Sequence, residues 1–316
     1  MLVLGIESAT ESAGVALADE AGCIASCSVE RGRRHTESIA PAVAWMVEQA
    51  GVDLHDLAAV AVDIGPGLFT GLRVGVATAQ GVAFALGIGV VPVASTQILA
   101  LGVLAVTGSL PGSEGSEGAT SGVTLAVGDR APSPASAPSP ASAPSPASAP
   151  SPASAPSPAS AAGASGSTGP EVVAVLDARR GEVFWGRFDS LGRRLHADRV
   201  GDPTELCHEL AASVTQSVLV GDGAHRYAEL LASVGSVVMA PAWMANPQAR
   251  LLALIGAERA LNGDLVAPGG LTPVYLREPD ARIGWEQRSA APQPEAQPEA
   301  QPEAPRGATA GEVGGR

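Results

Sequence analysis

Asp63-Ile64-Gly65-Pro66-Gly67-Leu68-Phe69-Thr70-Gly71-Leu72-Arg73-Val74-Gly75 is a glycine-rich junction between a strand and a helix. The run Leu57–Val62 ahead of it is uniformly apolar, as a buried strand requires, and small apolar residues from about Thr70 to Leu86 recur at helical spacing. Such a turn can aim backbone N–H groups at an anion held on the helix N-terminus. Its register nevertheless fits neither phosphate fingerprint. A dinucleotide loop needs a third glycine where Thr70 stands, and a Walker loop needs four residues between its glycines and then a lysine, whereas Gly67 and Gly71 are one residue too close. All nineteen cationic side chains are arginine. Every mechanism that needs a lysine, including a P-loop lysine, a Schiff base or a pyridoxal phosphate linkage, is thereby excluded.

Composition limits how much of the 316-residue chain can fold. From Pro132 to Ala161 the unit Pro-Ser-Pro-Ala-Ser-Ala occurs five times, flanked by Gly/Ser/Thr-rich sequence. It offers no apolar surface for a core, and its prolines lack backbone donors, so residues 107–169 read as an extended, polyproline-like disordered insert. Three Gln-Pro-Glu-Ala units from Gln293 to Ala304 mark a disordered acidic tail over 283–316. What remains, about 220 residues, is enough for two lobes of ordinary size, expected at 1–106 and 170–282, with the final helix able to pack back on the first lobe.

The net charge of −13 argues against a dedicated nucleic-acid binder, which shows a basic footprint. The pairs Arg33-Arg34, Arg179-Arg180 and Arg193-Arg194 read first as solvated turn residues. No stretch approaches the ~20 apolar residues of a membrane span, and the N-terminus carries no basic signal-peptide region, so a cytoplasmic protein is expected. An odd cysteine count suits a reducing compartment. Cys23 and Cys27 share a strand at a spacing of roughly 13 Å, beyond disulfide reach, and read as small buried residues.

Along the foldable chain, Leu2–Ile6, Gly14–Ala18 and Cys23–Val29 read as an antiparallel meander whose first turn, Glu7-Ser8-Ala9-Thr10-Glu11-Ser12, is acidic and hydroxyl-rich. Thr36 with Glu37 opens a helix in which Ile39, Val43, Met46 and Ala50 recur at helical spacing before Gly51 ends it. A strand, the Gly-Pro-Gly junction, a second helix and the strand Val90–Val93 follow. Beyond the insert, Val172–Leu176, the turn Asp177–Gly181 and Glu182–Asp189 repeat the opening hairpin. The fold class expected is α/β, two ribonuclease-H-like lobes each with a mixed sheet flanked by helices. A later strand, Val218–Val220, and a helix from Pro247 to Asn262 complete the reading.

Five segments together resemble one family: Ile6–Glu11, Arg34–Glu37, Gly65–Arg73, Asp177–Phe184 and Pro273–Arg277 are similar to the TsaB family, also called YeaZ. The resemblance covers almost the whole foldable chain. It implies an actin-like fold and a role in making threonylcarbamoyladenosine (t6A) beside the tRNA anticodon, as the non-catalytic partner of TsaD with the ATPase TsaE. A TsaC-type enzyme would supply the threonylcarbamoyl-adenylate. It also implies contact with tRNA only through the complex, no membrane, and a possible homodimer when alone.

The residues support a non-catalytic reading on their own terms. An actin-like ATPase needs an acidic, glycine-bearing turn in each lobe, to hold Mg²⁺-bound water and admit phosphate to the backbone. Here the first has Glu7, where the family usually has Asp, and no glycine in Ser8-Ala9-Thr10; the second, Asp177-Ala178-Arg179, is bulky. The catalytic relative carries an H-x-x-x-H pair, and Ser95–Ala100 has no histidine. His35, His55, His196, His208 and His225 show no metal-ligand spacing, so no metal, cofactor or catalytic residue is expected. Partner contacts are expected at Ile39, Val43, Met46, Gly71, Gly75 and Ala79, the last three on a small-residue stripe that either meets TsaD or packs on its own sheet. Gly65, Pro66, Gly67, Thr70, Arg73, Asp177 and Arg179 are expected as structural residues, with an ion pair from Asp177 to Arg179 and an Arg73 bound to loop carbonyls or a partner carboxylate. The competing reading is a stand-alone actin-like kinase or hydrolase using ATP.

Overall fold

The computed structural model of the chain describes residues 1–30, 35–107 and 169–277. The expected insert and tail lie outside the described residues, Thr107 and Gly169 apart. The chain opens with β1 (Leu2–Glu7), β2 (Ala13–Asp19) and β3 (Gly22–Val29), antiparallel in turn. Then come α1 (His35–Ala50), β4 (Leu57–Asp63), α2 (Phe69–Leu86), β5 (Gly89–Val93) and α3 (Ser95–Thr107). β4 and β5 run parallel to β1, so the sheet order is β3-β2-β1-β4-β5.

The second half repeats this plan with β6 (Glu171–Arg179), β7 (Glu182–Phe188), β8 (Arg199–Gly201), α4 (Pro203–Ala212), β9 (Ser217–Val220), α5 (Asp222–Arg226), α6 (Ala228–Ala232), β10 (Val237–Met239) and α7 (Ala249–Leu261). Its order, β10-β9-β6-β7-β8, is the same topology: an antiparallel hairpin extended on one side and two parallel strands on the other. The expected pair of mixed sheets flanked by helices is therefore present.

Central strands buried on both faces read as continuous apolar runs, and β4 (Leu-Ala-Ala-Val-Ala-Val-Asp) and β6 show why. One face of the first sheet is covered by α1 and α2, where Leu4, Ile6, Val60 and Val62 meet Met46, Val76 and Ala79. The other face is covered by the last helix, α7, whose Leu252 and Ala257 lie over Val3, Ala59 and Ala61. A Cβ on Gly256 would stand 2.3 Å from that of Ala61, so α7 reaches the sheet only because it carries glycine there. Conversely α3, from the first half, packs on β6, β7 and β9 through Leu99, Val103 and Leu104. Each sheet thus takes a covering helix from the other half of the chain.

Helix α2 is long and apolar enough, by length and composition, to cross a membrane, which the sequence reading had not expected of any stretch. Its Leu72, Val76, Ala79 and Ala83 are core residues over β4. The three cysteines are free and half-buried rather than fully buried.

Candidate functional site

In parallel α/β sheets, ligands bind beyond the carboxyl ends of the strands, and that is where the two lobes face each other. In the first lobe, the pairing of Ile6 with Val62 places Glu7 and Asp63 side by side at the ends of β1 and β4. Both are buried, at 1 % and 0 % exposure. Glu7 Oε1 accepts the Ala9 N–H at 2.8 Å. Asp63 Oδ1 accepts from Gly65 N–H at 2.8 Å and from Ser95 Oγ at 2.6 Å, while Oδ2 has no partner. Burial, and then the neighbouring Asp63 charge, raise the Glu7 carboxyl well above its ordinary range. Burial lifts Asp63 to about 7 against the pull of Ser95 and Gly65.

The Glu7–Ser12 turn and the Gly-Pro-Gly turn close on one another. Leu68 N–H donates to the Ala9 carbonyl at 2.7 Å, and Ser8 Oγ donates to the Gly71 carbonyl at 2.9 Å. A Cβ at Gly67 would lie 2.3 Å from Ala9 O, so glycine there serves the chain's own backbone rather than a phosphate.

In the second lobe Gly221, at φ +120°, brings Asp222 to the equivalent place beside β6, and Asp222 Oδ1 accepts the Asp177 N–H at 3.0 Å. Arg179 and Arg180 adopt left-handed backbone at φ 64° and 56° before Gly181. From that turn the Arg179 guanidinium reaches Asp177 Oδ2 at 3.1 Å and crosses the cleft to Glu11 Oε1 at 2.6 Å. Arg226 adds a second cation 3.6 Å from Asp177 Oδ2. Burial is the main force raising the Asp222 carboxyl.

Between the lobes there remains a cavity of about 10 Å³ lined by Ala9, Thr10, Gly67, Leu68, Leu176, Asp177, Arg179 and Asp222, the room of a single water. A magnesium triphosphate does not fit: the bare backbone it needs is occupied by Leu68 and Ala9 on one side and by Arg179 on the other. Among the described residues no three His, Cys, Asp or Glu side chains stand close enough to hold a metal.

The structural residues of the sequence reading gather here. Gly65, at φ +100°, Pro66 and Gly67 form the turn, with a cis bond between Gly65 and Pro66. Thr70 sits exposed on the first turn of α2. Arg73 is not bonded to the loop carbonyls; it stacks 3.8 Å over the Phe69 ring and reaches the Tyr275 hydroxyl at 3.4 Å. Tyr275 packs on Phe69, and Arg277 bonds Glu182 and the Ala178 carbonyl, so the segment after α7 is tied to both sheets. Arg193 and Arg194 are paired with Asp189 and Asp198.

The expected partner-facing residues need correction. Ile39, Val43, Met46, Gly71, Gly75 and Ala79 are all buried in the chain's own core, because the small-residue stripe turns toward the sheet. A Cβ at Gly75 would meet Ser8 Oγ at 2.4 Å, so a bulky side chain there would break the fold before any interface. The opposite faces of the same two helices are exposed: Ala40, Ala44 and Trp45 on α1, and Arg73, Ala77, Gly81, Phe84 and Ala85 on α2. Trp45 is 54 % and Phe84 64 % exposed. Gly81 is the signal that the sequence reading missed: a Cβ there would touch nothing within 4 Å, so the fold itself gives no reason for glycine.

The family model described as TsaD, tRNA N6-adenosine threonylcarbamoyltransferase, matches residues 29–113. The tRNA threonylcarbamoyladenosine biosynthesis protein TsaB of Escherichia coli is 25% identical over 292 residues, covering 91% of this chain and 98% of that protein. An uncharacterized protein of Mycobacterium leprae is 33% identical over 285 residues, covering 89% of this chain and 56% of its own length. The solved structure of YeaZ from Pseudomonas aeruginosa has the same fold, with a TM-score of 0.59 at 22% identity over 87% of this chain and 100% of that one. Fold and site define a two-lobed actin-like α/β protein whose interlobe cleft is filled by its own turns and by an arginine. Within that class, the chain is similar to TsaB and shares the fold of YeaZ.

Proposed function

We propose that this chain acts in t6A biosynthesis as the non-catalytic partner of TsaD, pairing through the exposed faces of α1 and α2. The pathway comes from the likeness to TsaB. The filled cleft supports the non-catalytic role. Gly81 carries the choice of surface: a mid-helix glycine costs about 1 kcal/mol relative to alanine, and no neighbour in this fold requires it. Flanked by Ala77 and Ala85 and rimmed by Trp45 and Phe84, it leaves a smooth apolar strip onto which a partner helix can press closely, with two aromatic anchors. The same strip would serve a homodimer in isolation. TsaE and tRNA would join through the pair, in the cytoplasm.

The test is t6A formation from TsaC, TsaD and TsaE with and without this chain, scored by mass spectrometry, alongside Gly81→Leu. Expected are dependence on the chain, no activity when it replaces TsaD, and a Gly81→Leu protein that folds normally yet loses both co-purification with TsaD and t6A formation. Unchanged co-purification would move the interface elsewhere. Micromolar magnesium-dependent ATP binding by the isolated chain would restore the kinase reading.

A further inference from the structure

Two carboxyl groups stand side by side at the ends of β1 and β4, almost without solvent, and one oxygen of the pair, Asp63 Oδ2, is buried with nothing to bond. A buried carboxylate pair cannot keep both charges without a cation or a proton between them. Among the described residues, no cation is among the charges that act on either acid. Ser95 and Thr96 at the start of α3 are neutral, as is Gly14 opposite Glu7 on β2. On α7, Arg259 is committed to the Pro92 carbonyl and Gln97, and Arg250 acts on Cys23. Arg73 on α2 is committed to Phe69 and Tyr275, and Arg179 across the cleft to Asp177 and Glu11. On α1 the charged group whose side chain is described is Glu48, and the further charge that acts on Glu7 is Glu30, an anion. The equivalent acids of the second lobe, Asp177 and Asp222, have Arg179 and Arg226 instead.

We propose that Glu7 and Asp63 share a proton that clasps the ends of β1 and β4, and that its loss to solvent base opens the Gly65–Gly67 turn. Oδ1 of Asp63 already holds that turn through Gly65 N–H and holds α3 through Ser95, so the free Oδ2 is the oxygen left to share the proton with Glu7. With the proton gone, two buried anions repel, and relief comes from the nearest backbone that can move. The clasp is a pH-sensitive joint at the root of α2. It does not depend on which partner α2 meets.

The native pair holds protons that an unfolded chain has released above about pH 5, so stability falls as pH rises. Urea unfolding of the full chain from pH 5 to 9 is compared with the isosteric Glu7→Gln/Asp63→Asn double variant. Expected is a wild-type folding equilibrium constant that drops about tenfold per pH unit for each extra native proton, relative to a double variant lacking that loss. Parallel profiles would overturn the proposal. Should the double variant not fold, hydrogen exchange at the Gly65 amide of the wild type decides: protection must be lost above neutrality faster than intrinsic hydroxide catalysis accounts for, and an ordinary slope overturns the clasp. Removal of the pH dependence by Mg²⁺ or Mn²⁺ alone would overturn it too, by making the pair a cation site.

Discussion

At the ends of β6 and β9, Asp177, beside Asp222, pairs with the guanidinium groups of Arg179 and Arg226; at the ends of β1 and β4, no cation among the described residues pairs with Glu7 or Asp63. Two sheets of identical strand order thus solve one electrostatic problem in two ways. The arginine solution occupies volume and reaches outward, which is why Arg179 both neutralises its own lobe and ties it to Glu11 in the other. The proton solution occupies none, which is why the first-lobe turns can seal directly onto one another at Leu68 and Ala9. A cleft built for nucleotide would need neither arrangement, and here both fill it.

The largest effects should come from the glycines that permit the two closures. At Gly221 a Cβ would stand 2.0 Å from the Val175 carbonyl of a central strand, with φ at +120°, a region that alanine rarely adopts. Gly221→Ala should cost more than about 4 kcal/mol and yield little folded protein. Gly67→Ala meets Ala9 O at 2.3 Å, but that carbonyl belongs to a turn that can shift, so a loss of about 2–3 kcal/mol in urea unfolding is expected. If Gly67→Ala proves the more damaging, the first-lobe closure is the stiffer of the two.

Next comes the arginine itself. Arg179→Met keeps the bulk and leaves Asp177, 4 % exposed, with Arg226 alone at 3.6 Å. A loss of about 1–2 kcal/mol at pH 7 is expected, below the 3–5 of a fully buried pair because the guanidinium is 40 % exposed. High salt should shrink the Glu11 share of that loss and spare the rest. An effect abolished entirely by salt would mean that Arg179 serves only the bridge between lobes.

How much of this was legible in the sequence follows from where each signal lives. Periodicity and glycine placement gave the meander, α1, the junction, α2 and the repeated hairpin, because each is a local pattern. The short elements β8, β10, α5 and α6 carry three to five residues each and leave no period to read. The exchange of α3 and α7 between sheets is a long-range packing choice that no local pattern records. The stripe Gly71, Gly75, Ala79 was visible as small residues at helical spacing, but small residues allow close approach to a sheet as readily as to a partner. Only the three-dimensional neighbours, Ser8 at Gly75 and open space at Gly81, tell the two apart. Glu7 was legible as an acid in a turn, whereas its pairing with Asp63 required the parallel register of β1 and β4.

Ser95→Ala gives a smaller effect that sharpens the contrast between lobes. Ser95 Oγ donates to Asp63 Oδ1, a bond worth about 0.5–1.5 kcal/mol to a neutral acceptor and about 1.5–3 to a charged one. Asp63 changes from the first to the second at about pH 7. The cost of Ser95→Ala in urea unfolding should therefore grow as pH rises from 6 to 8.5. A cost constant across that window would mean that Asp63 is ionised throughout, like an acid with an arginine beside it.

The smallest effect belongs to the segment that ties both sheets together. Arg73 stacks on Phe69 and touches Tyr275 at the surface of the first lobe, while Arg277 bonds Glu182 and the Ala178 carbonyl on the second. An exposed cation–π contact contributes about 0.5–1 kcal/mol, so Arg73→Ala should lower stability by no more than that. Arg277→Ala also removes a carbonyl bond beside the strained Arg179–Arg180 turn and should cost the same or slightly more. Because both anchors hold one short segment, the double variant should cost less than the sum of the singles: once one end is free, the other has little left to hold. Strict additivity in that cycle would mean that the two lobes grip the segment independently, and that the coupling between them runs through Arg179 and Glu11 instead.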